Sequence, residues 1–350
     1  MHRGRPSGAP TGATVVVVTG ASAGIGRATA IALAHCGYRV ALLARGQVGL
    51  DAARRDVEEV GGSALTIALD VADADAVHAA AAQVVAQWSR IDVWINNAML
   101  TVFGPAERVS ADEWERVTRV TYLGAVHGTL AALAQMRERD RGTIVQVGSA
   151  LAYRSIPLQA PYCGAKAALR GFTDALRCEL LHARSHVRLS MVHLPGVNTP
   201  QFEWSRTHMA TRHRPVGPVY RPEAAAQAIV KAALRAPREL WVGAPVLEAI
   251  LGTMVAPGLL DNILARRAYE AQMAARTSDT AYDILDAPAD RDFGVAGPFT
   301  AHARARARSM RPGLIRAGVT ALVFGAIGAT LARQAQAAHV IRSALQLGSR

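Results

Sequence analysis

With 350 residues, 51% of them hydrophobic and 19% charged, the chain is long and apolar enough for a full core, which excludes a disordered protein and a disulfide-stapled miniprotein. The net charge of +12 is local: residues 301–350 hold eight Arg and no Asp or Glu, so the other 300 residues carry about +4, too little for a chain-wide nucleic-acid surface. Three cysteines, Cys36, Cys163 and Cys178, odd in number and lacking C-x-x-C or Cys/His spacing, argue for neither a disulfide framework nor a zinc site and suggest a reducing compartment.

Residues 1–13, rich in Gly, Pro, Arg and Ser, read as a flexible leader. They lack the apolar stretch and cleavage site of a signal peptide, so the chain is expected to begin in the cytosol. From Thr14 onward, apolar runs of strand length (15–20, 39–45, 64–70, 91–98, 143–149, 187–196) alternate with amphipathic stretches of helix length (25–35, 47–60, 73–88, 110–137, 161–183). That alternation predicts an α/β fold: a Rossmann-type, doubly wound parallel sheet with helices on both faces. Residues 200–222, rich in Arg, His and Pro, show neither period and read as a mobile flap whose Phe202 and Trp204 shape a pocket. A helix at 222–234 and a last strand at 239–243 close a catalytic domain over 14–265. Residues 266–312 read as a linker, 313–335 as a helix and 336–350 as a tail.

Two constellations carry chemistry. The first βα turn reads Thr19-Gly20-Ala21-Ser22-Ala23-Gly24-Ile25-Gly26, directly after a four-valine strand and before a helical run. Glycine is needed there because a pyrophosphate must approach the backbone and rest on the N–H groups of a helix N-terminus. Arg45 closes the second strand where an acidic residue would bind the ribose 2′-hydroxyl of NAD(H). A cation suits a 2′-phosphate instead, so NADP(H) is preferred over NAD(H), although an ordinary strand-end arginine remains an alternative. Arg27, just past the last glycine, either assists or is a solvated helix residue.

The second constellation is Ser149, Tyr162 and Lys166. Tyr and Lys four apart share one face of a helix, where an ammonium makes tyrosinate accessible and the tyrosine a usable acid or base. The chain has only two lysines, Lys166 and Lys231, among 39 basic residues, so a lysine at this spacing is a marked departure from its own usage.

These motifs resemble the classical short-chain dehydrogenase/reductase family, here with an unusual C-terminal extension. The TGASAGIG turn, Asp70-Val71, Asn96-Asn97-Ala98, Ser149 thirteen residues before Tyr162 in YCGAK, and Pro195-Gly196-Val197-Asn198-Thr199 carry the resemblance over about 14–245. It implies that Tyr162 is the general acid/base, that Ser149 hydrogen-bonds the substrate oxygen, and that Lys166 binds the nicotinamide ribose and tunes Tyr162. By the same carry-over Asp70 and Val71 flank the adenine, Asn97 and Ala98 border the adenine-side ribose, and Pro195, Gly196, Val197 and Thr199 touch the nicotinamide amide. It also implies a small-molecule carbonyl or alcohol substrate and a homo-oligomer.

Two positions depart from the family pattern. Met99 follows Asn-Asn-Ala where a glycine is usual, and either lines the substrate pocket or fills a core gap. Thr121 stands where the family's catalytic Asn holds a water linked to the lysine. A threonine hydroxyl still donates and accepts, so activity is expected to survive. The alternative is a catalytically weak or inactive NADP-sensing or scaffold protein. His193, His208 and His213 read as structural or solvated, and Cys163 as a packing residue.

In the tail, residues 317–332 are uncharged and mostly apolar between Arg316 and Arg333. Three readings stay open: a transmembrane anchor over 313–335, a helix buried on the enzyme or at an oligomer interface, and a basic nucleic-acid arm. The first, with arginines ahead of the span, places the catalytic domain on the cytoplasmic side, anchored to a membrane. The reading that follows is an NADP-dependent oxidoreductase without nucleic acid as a partner, moving hydride between nicotinamide and a carbonyl or secondary alcohol that is lipophilic if the tail meets membrane.

Overall fold

The computed structural model describes residues 13–277 and 282–347, with the backbone alone for 274–277 and parts of 314–347. The leader expected over 1–13 therefore lies outside the described residues except for Ala13, as does the end of the tail. Chain order runs β1 Val15–Thr19, α1 Gly24–His35, β2 Arg39–Ala44, α2 Gln47–Glu59, β3 Ser63–Ala68, α3 Ala74–Trp88, β4 Val93–Asn96 and β5 Val102–Phe103. It continues through α4 Ala111–Thr118, α5 Gly124–Met136, β6 Gly142–Ser149, α6 Ala160–His182, β7 Val187–Leu194, α7 Gln201–Trp204, β8 Arg206–Thr207 and β9 Thr211–His213. The last elements are α8 Pro222–Arg235, β10 Glu239–Val242, α9 Ala244–Val255, α10 Pro257–Ile263, α11 Tyr269–Ala271, β11 Met273–Thr277, β12 Ser309–Met310 and α12 Pro312–Leu347.

Eight strands form one sheet in the order β12-β10-β7-β6-β4-β1-β2-β3. All neighbours are parallel except β12, which runs antiparallel to β10. The four valines of β1 show why this sequence makes a two-sided sheet. Val15 and Val17 enter one core with Trp94, Leu133 and Ile144, whereas Val16 and Val18 enter the other with Leu33, Leu42 and Ile229. Successive side chains alternate between faces, so a strand covered by helices on both sides is apolar at every position. The sheet reverses direction of growth at β1, flanked by β2 and β4, and the crevice beyond the carboxyl ends of these strands is where such folds bind ligands.

Local signals set the helix starts. Asp73 accepts from Ala76 N at 3.0 Å ahead of α3, Ser110 and Glu113 form a reciprocal capping box on α4, and α8, α9 and α10 have proline in their first turn. The stretch 110–137, expected as a single helix, is broken by a π turn at Arg119–Leu123.

Three expectations need correction. The 200–222 flap is pinned: β8 pairs with β5, and β9 pairs with β11. These strands are too short for a period to register in sequence. The 266–312 stretch is no free linker: residues 282–310 belong to the same compact unit as the sheet and end in its edge strand β12. Residues 311–350 form a second unit whose described part is α12. That helix contains the 313–335 segment, for which a membrane span is one of three readings, but no helix among the described residues is long and apolar enough to cross a membrane. Half of residues 317–332 are Ala or Gly, and Arg316 and Arg333 bound them, which leaves too little hydropathy for a hydrocarbon core of about 30 Å.

Candidate active site

The glycine turn sits at the switch point, and its conformation explains its composition. Gly20 has φ +64° and a Cβ there would lie 2.8 Å from Ala98 Cα; Gly24 has φ +56°. At Gly26 a Cβ would fall 2.1 Å from Gly20 O, so this glycine lets α1 pack against the turn. Thr19 Oγ1 accepts from the N–H groups of Asn97 and Ala98 at 2.9 and 3.1 Å, and Asn97 Nδ2 donates to Thr19 O and Gly20 O. The ends of β1 and β4 are thereby locked side by side. The first turn of α1 has neither a side-chain cap nor an acidic residue, which suits an anionic ligand at its N–H groups.

Asn96 of the same triplet works inside the core. Its Nδ2 donates to Thr129 Oγ1 and Gln146 Oε1, both at 3.0 Å, and Trp94 Nε1 donates to its Oδ1 at 2.8 Å. This network ties β4 to α5 and β6. Asp70 lies at the cleft with Arg116 Nη2 at 2.5 Å and the Ala72 N–H at 2.9 Å. Burial alone would raise its pKa, but the Ala72 N–H, Arg116 and Arg45 hold it below the usual carboxylate range.

On the other side of the cleft, β6 delivers Ser149 and α6 delivers Tyr162 and Lys166. Ser149 Oγ accepts from the Leu151 N–H at 3.1 Å, and the hydroxyl offsets part of the rise that burial imposes on the Tyr162 phenol. Lys166 is 2% exposed, donates to Val147 O at 2.8 Å, and holds its Nζ 5.6 Å from the Tyr162 ring centroid. Burial pushes the phenol up and the ammonium down, the latter to about 8. A lysine lowered this far exchanges protons readily near neutral pH, and a phenol beside it gains most from a cation when its proton is leaving.

One cavity of about 550 Å³ joins both halves. Gly20, Ser22, Gly24, Ile25, Arg45, Asp70, Val71, Asn97, Ala98, Ser149, Tyr162, Lys166, Pro195, Gly196, Val197 and Thr199 all line it, and so do Met99, Phe202 and Trp204. Two anticipated residues do not. Gly26 is a packing glycine. Thr121, in the π turn, is fully buried: its hydroxyl donates to Leu100 O and accepts from Leu100 N, both at 2.9 Å.

The histidines named from sequence are structural. His193 is fully buried beneath Ser149, with Nδ1 3.2 Å from the Ser149 carbonyl oxygen. His208 bonds Glu113 at 2.9 Å. His213 stacks on Phe103 at 3.6 Å, and burial lowers its pKa to about 4. Cys163 is buried, which pushes its thiol up.

Sequence reading missed the segment at 282–300. Arg45 donates to the carbonyls of Ile284, Leu285 and Asp286, and Arg116 donates to Leu285 O at 2.9 Å. Arg27, expected to assist the phosphate or face solvent, is buried between Asp56 at 2.7 Å and Asp292 at 2.5 Å. Gly24 N donates to Gly294 O at 3.0 Å, and Asn198 holds Gly297, Phe299 and Thr300. The segment is thus a strap along the phosphate end of the cleft.

The residues present fit a dinucleotide: a turn where added Cβ atoms would clash, a helix N-terminus with no side-chain cap and with its Gly24 N–H held by Gly294 O, and a cavity shared with a Tyr–Lys pair. Such a cleft belongs to oxidoreductases that work with a nicotinamide dinucleotide. Residues 14–210 match the short chain dehydrogenase family, and the chain belongs to it. The uncharacterized oxidoreductase YxnA of Bacillus subtilis is 32% identical over 270 residues, which is 76% of this chain and 75% of that protein. Among solved structures, a short-chain dehydrogenase from Streptomyces avermitilis gives a TM-score of 0.61 at 28% identity, covering 75% of this chain and 99% of its own. A metagenomic short-chain oxidoreductase in complex with NADP gives 0.54 at 30% identity, covering 63% and 91%.

Proposed function

We propose that the protein is an NADPH-preferring reductase of lipophilic carbonyl compounds, with Tyr162 as the acid/base, Ser149 as its partner on the substrate oxygen and Lys166 as the cation that tunes Tyr162. The observation that carries this reading is that Ser149, Tyr162 and the buried Lys166 line the same cavity as the glycine turn. Bound there, the nicotinamide supplies or accepts the hydride. Tyr162 gives the carbonyl oxygen its proton, and Ser149 fixes that oxygen within reach of the phenol. As the proton leaves, Lys166 stabilises the phenolate through the low-dielectric interior.

NADPH preference is supported by Arg45 at the end of β2 and by the NADP complex of one related structure. A lipophilic substrate is supported by the apolar lining that Leu151, Ile156, Phe202, Leu260 and Leu264 give the cavity. The test is NADPH oxidation by the full chain with matched panels of lipophilic and small polar aldehydes and ketones. Tyr162→Phe is expected to lower kcat by about 10²–10⁴ while leaving NADPH affinity unchanged. Faster turnover of small polar ketones would remove the lipophilic part of the reading.

One observation favours a second reading, a cofactor-sensing protein without turnover: the Thr121 hydroxyl is bonded in both directions to Leu100 rather than turned to the cleft. Tyr162-dependent turnover on any carbonyl excludes it.

A further inference from the structure

The strap places a cation that the family motifs do not supply. Arg45, Arg154 and Arg291 are the three arginines that line the cavity. Arg154 is paired with Asp261, and Arg45 is shared by three strap carbonyls. Arg291 makes no ion pair among the described residues. Its Nη1 donates to the Tyr282 hydroxyl at 3.2 Å, and its guanidinium stands 5.3 Å from the Tyr282 ring centroid and 5.4 Å from that of Phe293.

Those rings are themselves fixed edge to face, Tyr282 on Phe293 and Phe293 on Trp204. An arginine held over aromatic faces is preorganised and keeps its outer N–H groups for an anion. The strap also passes the right place. Seen from Gly46, directly after Arg45, a Cβ would meet Pro288 Cβ at 3.4 Å and Ala289 O at 3.6 Å, two residues before Arg291. Arg27 does not compete for the anion, because Asp56 and Asp292 neutralise it.

We propose that Arg291 is a direct ligand of the cofactor's 2′-phosphate, so that the strap at 282–294, beyond the 14–210 family match, sets cofactor specificity together with Arg45. Arg45 anchors the strap through three carbonyls, and its Nε makes no hydrogen bond among the described residues. This inference rests on the reading of the cleft as an NADP site.

The test measures binding of 2′,5′-ADP and 5′-ADP, then of NADPH and NADH, to the full chain, to Arg291→Gln and to Arg291→Lys. The wild type is expected to bind 2′,5′-ADP at least about tenfold tighter than 5′-ADP, as a charge-assisted phosphate contact provides. Arg291→Gln is expected to cut that ratio to about threefold or less by weakening 2′,5′-ADP and NADPH alone. Arg291→Lys, which keeps the charge, is expected to retain most of the ratio. A wild-type ratio near one defeats the NADP reading and the inference with it. A clear wild-type ratio that Arg291→Gln leaves intact, or a loss shared equally by both ligands, overturns the inference alone.

Discussion

Replacing Lys166 by Met tests the electrostatics of the site without a substrate. Burial lowers the Lys166 ammonium from its ordinary 10.5 to about 8. Unfolded, the lysine keeps its proton up to 10.5; folded, it loses it near 8. Between those values the unfolded chain binds one proton more, so the contribution of Lys166 to stability rises with pH, from a cost of about 3 kcal/mol at pH 7 toward zero near pH 10.5. Met removes that cost and its pH dependence, and leaves the Val147 carbonyl without its 2.8 Å partner, a pH-independent loss of about 1–3 kcal/mol. The two nearly offset at pH 7. What distinguishes them is the slope: relative to wild type, Lys166→Met should lose about 2 kcal/mol between pH 8 and 9.5. Urea unfolding of the cofactor-free proteins, followed by the fluorescence of buried Trp94 and Trp241, reads this difference. A stability difference constant to about 0.5 kcal/mol across that range would refute the argument that the ammonium is desolvated.

Other substitutions probe geometry. Gly20→Ala places a Cβ 2.8 Å from Ala98 Cα at a φ of +64°, so a destabilisation of about 1–3 kcal/mol and a loss of cofactor affinity are expected, measured by urea midpoint and by NADPH fluorescence titration. Thr121→Val keeps the shape but strips the buried Leu100 N–H and C=O of a shared partner. It should cost about 2–4 kcal/mol in the same urea assay; a neutral outcome would show that the hydroxyl is dispensable to the π turn.

The legible parts were those where chemistry restricts residue type. A buried parallel strand must be apolar throughout, as Val15–Val18 are, and a turn with positive φ favours glycine, as at Gly24, the more so where a Cβ would also clash, as at Gly20. A Tyr–Lys pair one turn apart is a rare combination in a chain with two lysines. The strap was illegible because it binds mainly through what every sequence has. Arg45 meets the backbone carbonyls of residues 284–286, and Gly24 meets that of Gly294. Its side-chain anchors lack local spacing: Arg27 and Asp292 are 265 residues apart. Arg27 misled for the same reason, since nothing near it in sequence announces a second carboxylate. At Thr121 the substitution is plain from residue identity, but its consequence depends on a bond to Leu100 across a π turn that helical periodicity conceals.

The strap also changes where the functional part of the chain ends. The sheet's compact unit runs to Met310, so a chain stopped after residue 310 should keep wild-type stability and NADPH affinity. Stopping after residue 277 removes far more than a linker. Arg27, 5% exposed, retains only Asp56; Arg206 loses Asp283 and Asp286; and the fully packed Leu285 leaves the core beside Val117 and Leu43. Loss of the Leu285 side chain and of the Arg27 partner alone comes to about 3–5 kcal/mol, before the edge strand β12 is counted. The shorter chain should therefore unfold at a clearly lower urea midpoint and bind NADPH more weakly than NADH would lead one to expect, because Arg291 and the anchor of Arg45 go together. Equal midpoints and equal NADPH affinities for the two truncations would return residues 282–310 to the status of a linker.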